Sequence, residues 1–493
     1  MTFAVSETSK PRWFAVCAIV SFIILAFLDS RLFGTELINS DQANALLVAQ
    51  DMVAGNWRLH GWWMAPDNYI GLDELVFAAV WAVTHNAVLT IRLAAIIAWI
   101  GLGIVMVILG AGMRRGRLMG LLVLLAMILI PNTGAYAANF YFNAPLHVLT
   151  VMCIFLVVMI VDAMLARVSV PWGLWFTLLI LTTDAAFSDP FFIYVGALPI
   201  VVALMLMRTK PGAIRLKIVS LLAFGVAMAK LLVWLNQWTG GFTALPLETN
   251  IPQLADLFRT AGFMGPVLLS IFGCVPLGGG FFGLAVALLR LPLICFAVVN
   301  CYRMLRVYAP ILSNRFSSAS YLSFIDITLC LIIVFDVSAV VFGNLFQEYS
   351  CVRFFLPAWV AVSILAARHI IISKTTVTYF AVVSLASVVM AFAKISEIQV
   401  PVNFPSDTIA LVDALEKHHL RYGYAGYWQA SDATIASGGA IVARAFLAHQ
   451  VKPVSPYRFF AKSDWYEGKP EVSQYFIAVP NDKSKRKLIP VLC

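Results

Sequence analysis

Charge is what this chain has least of. Asp, Glu, Lys and Arg together make up 12% of its 493 residues, against 61% hydrophobic, and the mean hydropathy is +0.89. That balance excludes an ordinary soluble domain, in which about a quarter of residues are charged and about half apolar. Cysteine is sparse and unpatterned. The chain has eight, with no C-x-x-C spacing, and Cys17, Cys153, Cys295, Cys301 and Cys330 fall in or beside apolar runs, which excludes a thiolate metal site. Cys274 and Cys351 both read as external and leave one conceivable disulfide, whose geometry a sequence cannot supply. Repeats of solenoid length and low-complexity tracts are absent. The net charge of +9 would point to nucleic acid in a soluble protein. Here the basic residues sit mostly in short loops between apolar runs, where they set orientation, and no nucleic-acid partner is expected.

Long apolar runs are abundant. Windows of about 18 to 25 residues recur, each long enough to cross a hydrocarbon layer of roughly 30 Å. Residues 13–28 have the character of a signal-peptide core, yet no small-x-small cleavage site follows, so the run reads as a retained first span. Basic residues cluster at Lys10/Arg12, Arg114/Arg115/Arg117, Arg167, Arg208/Lys210/Arg215/Lys217, Arg303/Arg306/Arg315 and Arg368/Lys374. All fall on one side if the spans are 13–30, 88–112, 118–133, 144–165, 170–187, 190–207, 216–236, 280–302, 321–343, 354–372 and 376–393. The expected fold is an all-α polytopic membrane protein of about eleven crossings, N-terminus inside and C-terminus outside, with a small C-terminal α/β domain. Parity then requires 72–83 and 263–275 to lie on or dip into the outer leaflet, the second beside Gly278-Gly279-Gly280.

The domain plan is a transmembrane unit over 1–393 and an external C-terminal domain over 394–493. The first external loop, 29–87, carries Asp29, Glu36, Asp41, Asp51, Asp67, Asp73 and Glu74 among Trp57, Trp62, Trp63 and Tyr69. A second spans 236–280. In the tail, 407–418 has helical spacing and 475–479 is β-prone.

A carboxylate in a tryptophan-rich loop at the lipid boundary is suited to a lipid-linked substrate. An alcohol is a poor nucleophile at neutral pH, and a positioned Asp or Glu can take its proton. Asp41, opening an amphipathic surface helix over 41–54, is the choice for this base; the alternative is that Ser40 or Asp41 merely caps that helix. Asp73 and Glu74 open a second helix, where the dipole favours acids for structural reasons too. Asp189, in a Ser-Asp-Pro turn between two spans, would face the same cavity. A leaving phosphate needs a cation. Arg353 at an outer boundary is the first candidate, with Glu348 as its structural partner. Lys230 and Arg290 lie inside apolar runs, where a charge usually faces a cavity or a partner, although Lys230 is near enough to its helix end to snorkel. His147 opens a span from the outside, as an interfacial residue or a ligand.

The run from Asp41-Gln42 to Gly55-Asn56-Trp57 resembles the first outer loop of the GT-C glycosyltransferases, which include protein O-mannosyltransferases and lipid A aminoarabinose transferases. Tyr69-Ile-Gly-Leu-Asp-Glu-Leu75, Ser188-Asp-Pro190, Arg353-Phe-Phe-Leu-Pro357 and Gly423-Tyr-Ala-Gly-Tyr-Trp428 are similar to features of bacterial members. The resemblance covers most of the chain in layout and its first hundred residues in motif. It implies an inverting transferase in the bacterial inner membrane, with an active site facing the periplasm. The donor would be a polyprenyl-phosphate-linked sugar, and the acceptor an envelope glycan, lipid or protein. It strengthens Asp41 as the catalytic residue and, less, Arg353 as a phosphate ligand. Two departures stand out: Gln42 replaces the second acid of the usual pair, and a Lys-Pro-Pro stretch is missing. Participation of a divalent cation, Mg or Mn, is therefore left open. The other functional classes are a transporter or flippase for lipid-linked saccharides, which predicts symmetric halves with broken helices at mid-membrane, and an O-antigen-type ligase or polymerase, which predicts a late external histidine that the loops after the seventh and ninth spans lack.

Overall fold

The computed structural model describes residues 11–32, 37–111, 117–131, 147–207, 212–246, 252–275, 280–313, 323–343, 345, 349–397, 403–447, 455–467 and 474–478. Its helices are α1 (Pro11–Leu32), α2 (Ser40–Val53), α3 (Asp73–Thr84), α4 (Ala87–Ala111), α5 (Arg117–Leu124, continued by a π-helical turn to Leu129) and α6 (Val148–Leu165). Then come α7 (Trp172–Ser188), α8 (Leu198–Leu206, entered through a π-helical turn, Ile193–Ala197), α9 (Gly212–Trp238), α10 (Leu254–Ile271) and α11 (Gly280–Ser313). The last are α12 (Phe324–Phe342), α13 (Leu356–His369, entered through a 3₁₀ segment, Tyr349–Phe355), α14 (Lys374–Glu397), α15 (Ser406–Lys417) and α16 (Tyr427–Ala436).

Among the described residues, nine helical segments are long and apolar enough to cross a membrane: α1, α4, α6, α9, α10, α11, α12, α14 and the segment Cys351–His369 that contains α13. The chain is a multi-pass helical membrane protein. Its large exposed side chains fit that medium: Ile19 and Ile23 of α1, and Leu216 and Phe224 of α9, point away from the bundle, as side chains facing lipid do. The opposite faces of the helices form one core, in which Trp99 of α4 and Phe155 of α6 are fully buried.

Three expected spans are shorter here: α5 with its π turn, α7, and the Ile193–Leu206 segment. Helix α3, with 12 residues, is too short to cross. Helix α10 differs from expectation, starting at Leu254 instead of near residue 263 and running 18 residues. Its first turns are polar enough to interrupt a hydropathy run, yet Asp256 accepts from the Gln253 backbone N–H at 3.0 Å and pairs with Arg259 at 3.0 Å, which supports a helix there. Cys274 and Cys351 are both free thiols.

Strands are short: β1 (Trp62–Met64), β2 (Thr243–Ala244), β3 (Tyr422–Ala425), β4 (Val442–Leu447), β5 (Ser455–Pro456), β6 (Ala461–Lys462) and β7 (Phe476–Ala478). One sheet has the order β2-β1-β6, with Trp63 opposite Thr243 in parallel and Trp62 opposite Lys462 antiparallel. It joins the loop after α2 and the loop after α9 to the C-terminal segment. The other has the order β5-β4-β3-β7, parallel except for the β4–β5 pair. Helices α15 and α16 cover it over a small core of Val412, Leu415, Ala425, Ala433 and Phe476. On its other side α16 packs against α2, which brings the C-terminal segment over the start of the first loop.

Candidate functional site

Helix α2 is capped by Asn39. Its side-chain oxygen accepts from the backbone N–H groups of Asp41 and Gln42, at 3.1 and 3.2 Å, and the Gln42 side chain accepts in return from the Asn39 N–H at 3.1 Å. This reciprocal arrangement satisfies the helix start. The capping role that the sequence assigned to Ser40 or Asp41 therefore belongs to Asn39, and the Asp41 carboxylate is released for other contacts. Its Oδ1 accepts from the Tyr427 hydroxyl at 2.5 Å, and its Oδ2 lies 3.6 Å from Nη1 of Arg353. One turn along, Ser431 Oγ donates to Asn44 Oδ1, and Ser40 Oγ donates to Asp432 Oδ1 at 3.2 Å.

Arg353 comes from the 3₁₀ segment ahead of α13, whose entry is fixed from α12: Asp336 Oδ2 accepts from the Ala358 N–H at 2.8 Å. The guanidinium carbon sits 5.3 Å over the Phe354 ring, a cation–π distance. Its charge also acts on Tyr69 and His147, favouring the phenolate of one and the neutral ring of the other. Arg353 thus joins Asp41 to a second, more deeply buried group.

That group is centred on His147. Asp189 Oδ2 lies 2.6 Å from its Nδ1, Tyr69 Oη lies 3.2 Å from its Nε2, and the Tyr69 hydroxyl donates to Asp67 Oδ2 at 2.6 Å. The other Asp189 oxygen accepts from the Phe191 N–H at 2.9 Å, so the carboxylate cannot turn away. Phe191 and Phe354 close over the ring, each with its centroid 5.3 Å away. Burial works against a charged imidazole, but the charge and hydrogen bond of Asp189, with the charge of Asp67, outweigh it and raise the His147 pKa. Burial raises Asp67 and, with added charge from Asp67 and Asp189, raises Tyr69 well above a free phenol.

The backbone is held in an unusual shape to do this. Tyr69 and His147 both have left-handed conformations, φ 56° and 63°, uncommon for residues other than glycine. Tyr69 is fixed by its N–H donating to Ser188 O at 2.9 Å, and the next turn by the Gly71 N–H donating to Ser188 Oγ at 2.9 Å. A Cβ on Gly71 would fall 1.9 Å from Asp184 Oδ1, so only glycine lets this loop sit so close to α7. Strain of this kind, held by surrounding bonds, concentrates at functional sites.

Asp73 and Glu74, 1% and 0% exposed, begin α3 without a side-chain cap. Neither carboxyl has a hydrogen-bond partner among the described residues. Burial raises Asp73 to about 7, with His147 pulling it down and Asp189 pushing it up. Burial, then the charge of Asp73, raises Glu74 well above the ordinary value.

The structure therefore gathers Asp41, Arg353, His147 and Asp189, with Asp73 within electrostatic reach and Glu74 beside it. Lys230 and Arg290 belong to other parts of the bundle. Lys230 is exposed on α9, and Arg290 is buried on α11, donating to Phe272 O at 2.7 Å and to Ser387 Oγ at 2.6 Å. Glu348 lies outside the described residues. The sequence reading assigned no role to Tyr427, Asp432, Asp67 or Tyr69. Only the motif 423–428 included Tyr427, and nothing linked it to an acid 386 residues away.

At Asp41 both carboxylate oxygens face the donors Tyr427 and Arg353, and the Gln42 side chain beside it is committed to the helix cap. Among the described residues no group of three or more His, Cys, Asp or Glu side chains is placed to hold a metal ion. No protein-family model and no curated protein matches the chain.

Proposed function

We propose that this protein is an integral-membrane inverting glycosyltransferase of GT-C type, moving a sugar from a polyprenyl phosphate to a hydroxyl of an envelope glycan, lipid or protein. The observation that carries this reading is the single carboxylate of Asp41 facing the Arg353 guanidinium, at the edge of an apolar helix bundle. The resemblance of the 41–57 run to GT-C outer loops supports it.

In this mechanism Asp41 Oδ2 takes the proton of the acceptor hydroxyl as its oxygen bonds to the anomeric carbon. The bond from that carbon to the phosphate oxygen breaks with its electron pair, and polyprenyl phosphate leaves with its added charge beside Arg353. One base and one displacement invert the anomeric centre. The His147–Asp189 pair, 2.6 Å apart, sits behind Arg353. No step runs through a metal.

For the topology we propose about eleven crossings, N-terminus in the cytoplasm and the 403–478 segment in the periplasm of a bacterial inner membrane. Helix α10 then lies along the outer leaflet, which keeps Arg303 and Arg306 on the cytoplasmic side. A Ser437→Cys variant should be labelled in intact spheroplasts by an impermeant maleimide; protection until lysis would reverse the orientation.

The activity is tested with purified protein in liposomes and a panel of undecaprenyl-phosphate-linked hexoses, pentoses and aminopentoses, with envelope extract as acceptor. Release of undecaprenyl phosphate from at least one donor, lost in Asp41→Asn, is the expected result. Wild-type protein that discharges none of them would overturn the reading.

A further inference from the structure

We propose that Tyr427, carried by the C-terminal segment, is a positioning residue that sets the orientation of the Asp41 carboxylate, so that the tail completes the reaction centre. The inference rests on the reading of Asp41 as the base. A carboxylate rotates freely about its last torsion unless something holds one oxygen. The Tyr427 hydroxyl does so, donating to Oδ1 at 2.5 Å and leaving Oδ2 turned toward Arg353.

The tyrosine is itself fixed. Its ring stands edge-on to Trp428, Tyr457 and Phe459, with centroids 5.1, 5.2 and 5.8 Å away. Its helix is seated on α2 by contacts spaced one turn apart on both sides: Tyr427, Ser431 and Asp432 meet Asp41, Asn44 and Ser40. That spacing puts each set on a single helix face. Burial and the neighbouring Asp41 charge raise the Tyr427 pKa well above an ordinary phenol. The hydroxyl therefore keeps its proton and donates throughout the working pH range. Phe460, four residues beyond β5 and stacked 6.5 Å from Tyr69, extends the tail over the His147 group.

Tyr427→Phe keeps the ring and removes only the donor. In the donor-discharge assay its turnover should fall about 10-fold, with the donor KM within about 2-fold of wild type. Turnover per folded molecule should fall while donor KM holds, because a base free to rotate slows the chemical step without weakening donor binding. A merely structural role would lower the yield of folded protein and leave the turnover of the folded fraction unchanged. Oxidative cross-linking of Asn44→Cys with Ser431→Cys, mapped by mass spectrometry, should occur in active protein. Active wild type with unchanged turnover in folded Tyr427→Phe, or with no cross-link, overturns this proposal while sparing the transferase reading. Wild type inactive on every donor removes the transferase reading and this proposal with it.

Discussion

The two acids of α2, Asp41 near its start and Asp51 near its end, sit ten residues apart and both meet the C-terminal segment. They are used differently. Asp51 is saturated: Oδ2 accepts from Asn56 Nδ2 at 2.6 Å and from Trp62 Nε1 at 2.7 Å, and Oδ1 pairs with Lys462 at 3.3 Å. Asp41 has one short bond, and its second oxygen stands 3.6 Å from a guanidinium. A carboxylate with three donors on its two oxygens fastens structure, since removing it leaves those donors without their partner. One held by a single oxygen is oriented and still basic. The difference starts at Asn39, which relieves Asp41 of capping.

The sharpest way to break this comparison is to neutralise each acid in turn. Asp41→Asn should reduce transfer by about 10²–10⁴-fold, the usual worth of a positioned base, while the protein still folds. Asp51→Asn should leave the rate per folded molecule within about 3-fold and lower stability by about 1–3 kcal/mol. Donor discharge and thermal unfolding in detergent measure the two. Equal losses of activity would erase the distinction between them.

Asp189 extends the comparison to a buried, saturated acid. Asp189→Asn strips His147 of its ion pair and should cost about 3–5 kcal/mol. The pH dependence has a definite sign. The His147 pKa is raised in the folded protein, so the pair's stabilisation is complete below the ordinary imidazole value near 6.5 and is lost as pH rises through the folded value. Unfolding of wild type should therefore become easier on the alkaline side, and Asp189→Asn should flatten that slope.

Arg353→Ala tests the other partner of Asp41. Loss of a charge-assisted contact to phosphate should weaken donor use by about 10- to 100-fold. Acceptor use should change less, and equal effects on both substrates would argue for a purely structural arginine.

Much of this arrangement could be read before the fold was known, and the failures have physical reasons. Apolar run length located the helices because a bilayer demands it; Asp189, His147 and Arg353 each stood at or near the end of such a run, and Asp41 stood in the loop after the first. The cap was misassigned because Asn39, Ser40 and Asp41 are all good caps; Gln42, three residues after Asn39, was the signal that picks out the first. The start of α10 was misjudged because hydropathy counts Asp256 and Arg259 as breaks, whereas a helix pairs them. Arg290 looked functional because a buried charge needs partners, and it finds them in Phe272 O and Ser387. Contacts between Tyr427 and Asp41, or Lys462 and Asp51, span nearly the whole chain, and no local pattern encodes them.

The smallest expected effect lies at the seam between α2 and α16. Asp432 is buried beside Ser40, and burial, helped by the charge of Asp41 and opposed by the Ser40 hydrogen bond, raises its pKa to about 8. The docked state therefore holds a proton that the undocked carboxyl, with an ordinary value near 3.8, gives up. Docking is tightest below that ordinary value and weakens as pH rises toward and through about 8, where a second negative charge forms next to Asp41. Asp432→Asn keeps the acceptor for Ser40 and cannot ionise. Its advantage over wild type should grow by about 1–2 kcal/mol between pH 7 and pH 9, measured as protection of the C-terminal segment in native-state proteolysis. Parallel pH curves for the two proteins would mean that Asp432 is already ionised in the seam. Asp41 would then share its neighbourhood with a second carboxylate, and the contrast with the saturated Asp51 would narrow.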